Sequence, residues 1–166
     1  MKKLILLTAF STLFAARAEA TTLQQQINNR VQTSIKNLNL DSKKYATDSD
    51  YFKFSLKSKE IITADINHDG IKDKITVLNF CEKTNCHPTT MSTEIAVFLG
   101  QKGQKITYID SKFFAITASI QKDSKGHINV HQYDYSEDDG HCCPSRLTKF
   151  NLTVEDGKLF SRKIKD

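Results

Sequence analysis

The chain has 166 residues, 39% of them apolar, and its 24 lysines and arginines outnumber 19 acidic residues. That length suits one domain. The net charge of +5 is spread along the chain without a dense basic patch, which argues against a nucleic-acid-binding face.

The first 20 residues read as a secretory signal peptide. Lys2 and Lys3 give a positive start, residues 4–16 are apolar, and Ala18-Glu19-Ala20 has the small-x-small form of a cleavage site. The apolar run is too short for a membrane span. No cysteine stands at the cleavage site to take a lipid, and the short basic start has a bacterial character. Cleavage after Ala20 removes Lys2, Lys3, Arg17 and Glu19, so the excess charge falls from +5 to +3. The expected product is residues 21–166, a single periplasmic or secreted domain with no membrane span.

Thr21 or Thr22 can cap a helix running to about residue 39. Leu23, Ile27, Val31, Ile35 and Leu38 form one apolar stripe, and amides dominate the opposite face. This stripe is expected to pack on a sheet. Residues 41–50 are polar and aperiodic and read as a connection.

Short strands follow. Residues 51–56 alternate, with Phe52, Phe54 and Leu56 on one face. Residues 60–64 and 74–78 are rich in β-branched side chains, and residues 94–99 and 105–109 are further strands. Phe114, Ile116, Ala118 and Ile120 share one face of another. Residues 128–135 return after a turn at 123–126. Phe150, Leu152 and Val154 alternate before the Asp156-Gly157 of a tight hairpin, and residues 159–164 close the chain. The pattern predicts an α+β domain: an N-terminal amphipathic helix packed on an antiparallel sheet or half-closed barrel of about eight short strands, with a small sandwich as the alternative.

One turn carries chemistry. Asp65-Ile66-Asn67-His68-Asp69-Gly70-Ile71-Lys72-Asp73 places oxygen-bearing side chains at positions 1, 3, 5 and 9, with glycine at 6. This is calcium-loop spacing. The proposed ligands of Ca2+ are Asp65, Asn67, Asp69, Asp73 and the Ile71 carbonyl. Position 12 is Thr76, not a bidentate glutamate, and strands rather than helices flank the loop. That predicts weak affinity, on the order of 10⁻⁴ to 10⁻³ M, and a bracing role. The stretch resembles the D-x-N-x-D-G-x-x-D strand–loop–strand hairpin of FG-GAP and integrin-type repeats. It occurs once and without a repeat period, so the resemblance does not imply a propeller. An ordinary polar hairpin turn is the competing reading.

Cys81, Cys86, Cys142 and Cys143 suit two disulfides in an exported chain. A bond between neighbours 142 and 143 would hold Cα atoms ~3.8 Å apart, below the usual ~4.4 Å. Linking the 81/86 segment to the 142/143 segment avoids this. It also closes loops of roughly 60 residues, worth about 4 kcal/mol against about 2 for a six-residue loop. Two crossed links are therefore expected, with either partner choice open. Zinc held by these cysteines with His87 and His141 is a lesser alternative, as is a redox-active pair at 142–143. The calcium hairpin, the cysteine one strand later and Cys142-Cys143-Pro144-Ser145 are together similar to small exported bacterial proteins, including some of the LppP/LprE lipoprotein type. That resemblance implies location and a fold core, and no activity.

The acidic run Asp134, Glu137, Asp138 and Asp139, next to His141, suggests a solvated loop or a second cation site. His68 occupies a non-ligand position of the loop, and His127 and His131 read as surface residues. Asn151-Leu152-Thr153 fits a glycosylation sequon but sits mid-strand. No catalytic constellation emerges. The expected function is a disulfide-stapled, calcium-braced binding or structural module that meets another envelope or extracellular protein. A protein-inhibiting module, such as an immunity protein or lysozyme inhibitor presenting Glu137 to Asp139, is the alternative. A hydrolase using the acidic loop ranks third.

Overall fold

A computed structural model describes residues 21–45, 52–124, 126–140 and 142–165. The expected signal peptide and residues 46–50 of the 41–50 connection lie outside the described residues. Among the described residues, one α-helix precedes eight strands, giving the expected α+β class.

Helix α1 covers Leu23–Tyr45. Its start is a capping box: Thr22 Oγ1 accepts from the Gln25 amide and Gln25 Oε1 accepts from the Thr22 amide, at 3.3 and 2.8 Å. It runs six residues beyond the expected end at 39. Lys43 and Lys44 in its last turn complement the negative end of the helix dipole.

The strands are β1 (Phe54–Ala64), β2 (Asp73–Glu82), β3 (Met91–Gly100), β4 (Ile106–Ala115), β5 (Thr117–Lys122), β6 (Ile128–Asp134), β7 (Arg146–Glu155) and β8 (Lys158–Lys163). They form two four-stranded antiparallel meanders, in order β1-β2-β3-β4 and β5-β6-β7-β8. Neither sheet closes. The sandwich alternative therefore describes the architecture better than a half-closed barrel.

The residue that separates the sheets is Ile116. Residues 114–120 were expected to make one strand, but Ile116 has φ 62°, a left-handed conformation rare for a β-branched residue. The chain leaves the first sheet there and enters the second. Ile75, Ile95, Val97 and Phe114 from one sheet then meet Ala118, Ile128, Val130, Leu152 and Leu159 from the other in a common core. Polar bonds fasten the layers. The Leu159 amide donates to Asp110 Oδ2 at 3.0 Å, and the Ala118 amide donates to Thr93 Oγ1 at 3.2 Å.

The helix covers the other face of the first sheet. Ile27 and Val31 pack on Leu78, Phe80, Ala96 and Phe98, with Leu23, Ile35 and Leu38 at the margin. Each fully buried apolar side chain here contributes roughly 1.5–3 kcal/mol. Polar contacts fix the helix position. Arg30 and Ser34 both donate to Glu94, whose side chain is wholly buried in the middle of β3. Gln26 acts as a short strand mimic on the β4 edge, donating to the Ile106 carbonyl at 2.6 Å and accepting from the Tyr108 amide at 2.7 Å. That edge is consequently covered.

Candidate functional site

The turn between β1 and β2 organises its backbone with its own side chains. Asp65 accepts from the Asp69 and Gly70 amides at 3.1 and 2.9 Å. Asn67 Oδ1 accepts from the Asp69 amide at 3.3 Å, and its Nδ2 donates to Asp69 Oδ2 at 2.9 Å. Asp69 Oδ1 accepts from the Ile71 amide at 2.7 Å. Gly70 has φ 83°, the left-handed conformation the reversal requires.

Asp73 ties this turn to the sheet. Its carboxylate is fully buried and accepts from the Ile66 amide and the Gly100 amide, both at 2.9 Å. Burial pushes its carboxyl above the ordinary carboxylate value, and the charges of Asp69 and Asp65 push the same way. The two amide bonds oppose that rise. Sequence reasoning missed Gly100, whose role is close approach. A Cβ there would stand 2.4 Å from the Lys72 carbonyl oxygen. Its only signal was a glycine at a strand end.

The loop brings Asp65, Asn67 and Asp69 into one hydrogen-bonded set, with Ile71 attached through its amide. Among the described residues, no three His, Cys, Asp or Glu side chains stand in a metal-holding group. The donor chemistry still suits a hard cation, because a carboxylate oxygen that accepts one N–H keeps a second lone pair. His68 is exposed, with φ 59°. It lines a shallow cleft together with Asp65, His127 and Asn151. His127 is anchored through Nδ1 to Asp123 Oδ2 at 2.8 Å.

All four cysteines are bonded, but not in the expected crossed pattern. Cys81 pairs with Cys86 and Cys142 with Cys143, with Cα–Cα distances of 5.3 and 3.8 Å. The correction has a topological reason. Cys81, near the end of β2, and Cys86, in the β2–β3 connection, both belong to the first sheet, whereas Cys142 and Cys143 belong to the β6–β7 connection of the second. Each disulfide stays within its own sheet's region, and neither of them staples the two layers. With no free thiol, the zinc alternative is excluded for this state.

The acidic run does not converge either. Asp134 accepts from Gln132 Nε2. Asp139 Oδ2 accepts from the Ser136 and Ser145 amides at 2.8 and 2.7 Å, clamping the base of the β6–β7 loop. Bonds from the Ser145 side chain and the Ser136 amide hold its carboxyl down at about 2. Glu137 and Asp138 are exposed. Asn151 and Thr153 lie within β7, and Asn151 Nδ2 donates across to Asn129 at 3.3 Å. Among the described residues, no helix is long and apolar enough to cross a membrane.

No known protein family, characterised protein or solved structure matches the chain.

Proposed function

We propose that this protein is an exported, disulfide-stapled binding or structural module whose 65–73 loop is braced by weakly held calcium. The observation that carries the reading is the position of Asp73. A buried carboxylate lies at the root of the loop, under the charges of Asp65 and Asp69, and accepts from the Ile66 and Gly100 amides. A divalent cation held by the oxygens of Asp65, Asn67, Asp69, Asp73 and the Ile71 carbonyl would offset that accumulated negative charge. Its role would be to lock the β1–β2 turn against β3. Partner recognition would then fall to exposed loops such as that carrying Glu137 and Asp138.

Thermal unfolding of oxidised residues 21–166 tests the reading. With a dissociation constant on the order of 10⁻⁴ to 10⁻³ M, about 10 mM calcium should add about 1.4–2.7 kcal/mol relative to chelator. The midpoint should rise by about 3–11 °C. The rise should vanish in Asp69→Ala. An equal rise in Asp69→Ala would refute the site.

A further inference from the structure

We propose that the Cys142–Cys143 disulfide is a thiol-exchange site, one that accepts two electrons from a small dithiol while Cys81–Cys86 stays closed. The two bonds differ in three respects. The first is exposure. Cys142 and Cys143 are both exposed on the β6–β7 loop, whereas Cys81 is 1% exposed within β2. Attack on Cys86 would have to expel Cys81 as a thiolate into a nearly dry environment, and burying a new charge there is costly. Attack on either loop sulfur expels a thiolate into water.

The second difference is chain entropy. A bond between adjacent residues closes so small a ring that it restrains the unfolded chain by only about 1 kcal/mol in the entropy model, against about 2 for the six-residue ring. The Cα–Cα distance of 3.8 Å also lies below the usual lower bound of ~4.4 Å. The third difference is local support. The loop base does not depend on the disulfide, because Asp139 accepts from both the Ser136 and Ser145 amides. The Cys143 amide also donates to the Gly140 carbonyl at 3.1 Å. Opening the ring therefore leaves the loop anchored at both ends.

The exchange balances without another reactant. A thiolate of the dithiol attacks one sulfur, the bond between the cysteines breaks, and the second cysteine leaves as a thiolate that takes a proton from water. The dithiol's other thiol, deprotonated, then displaces the first cysteine, which is protonated in turn. The reductant ends as its disulfide, and the two electrons reside on the Cys142 and Cys143 thiols.

Graded dithiothreitol on the folded, oxidised residues 21–166, followed by alkylation and peptide mass mapping, tests the proposal. Cys142 and Cys143 should be labelled together at a reductant concentration about tenfold or more below that needed for Cys81 and Cys86. The far-ultraviolet circular dichroism spectrum should not change during the first phase. The double variant Cys142→Ser/Cys143→Ser, altered only at exposed positions, should lose that phase and keep the second. Simultaneous opening of both bonds, earlier opening of Cys81–Cys86, or linked peptides joining the 81/86 and 142/143 segments before reduction would overturn the proposal.

Discussion

Gly100→Ala should unseat the 65–73 loop without touching any of its acidic residues. A Cβ at this position would meet the Lys72 carbonyl oxygen at 2.4 Å and Ile71 Cγ2 at 2.9 Å. Backbone cannot yield as a flexible side chain does, so β3 and the loop must separate. The Asp73 Oδ1 bond to the Gly100 amide, 2.9 Å long, then lengthens or breaks. Loss of a hydrogen bond to a charged acceptor costs about 1.5–3 kcal/mol, and overpacking adds about 1–3. The sum is about 2.5–6 kcal/mol, or a drop of about 5–24 °C in the unfolding midpoint for a chain of this size. Gly103→Ala is the control. Gly103 has φ 78° with nothing within 4 Å, so only the left-handed backbone penalty of about 1–2 kcal/mol applies. Calorimetry of both variants in chelator measures the difference. Equal destabilisation by the two would refute the close approach of loop and strand.

Three further outcomes follow from the same contacts. Arg30→Ala removes the charged partner of the buried Glu94 carboxylate, which keeps its bond from Ser34, and should cost about 3–5 kcal/mol in urea unfolding, while Arg30→Lys should recover part of that. Asp139 titrates lower in the folded state, at about 2 against an ordinary 3.8, so its contribution is present above about pH 4 and is lost as pH falls through about 2. Asp139→Asn should flatten the stability profile in that window. Asp73 works in the opposite sense: its raised folded value means that its contribution is full below the ordinary carboxylate value and is lost as pH rises through the folded one. In chelator, Asp73→Asn should therefore remove a loss of stability that the parent protein shows above that range.

Much of the fold could be read directly from residue spacing. The Leu23–Leu38 stripe located the helix and its buried face, and Asp156-Gly157, with φ 51° and 71°, makes the expected β7–β8 turn. The break at Ile116 was hidden for a geometric reason. Phe114 faces the core from the first sheet, while Ala118 and Ile120 face it from the second, so the alternation continues unbroken across the change of sheet. The helix end was missed because residues 40–45 include polar side chains whose position owes nothing to the stripe. Glu94 and Gln26 looked like ordinary polar residues because their partners lie 64 and 80 residues away. Within the loop, the spacing of Asp65, Asn67 and Asp69 identified residues that hydrogen-bond to one another. Gly100 completes the arrangement from 27 residues beyond Asp73, a distance over which no local motif can signal. The disulfide pattern escaped because loop entropy favoured long closures. It carries no information about which connections the sheets hold apart.

Isothermal titration of calcium into metal-stripped residues 21–166 tests the central claim most directly. The account predicts a single site with a dissociation constant on the order of 10⁻⁴ to 10⁻³ M, abolished in Asp69→Ala and retained in Asp138→Ala. Absence of binding at millimolar calcium, or equal binding by Asp69→Ala, would contradict it and leave residues 65–73 as a self-capped polar turn.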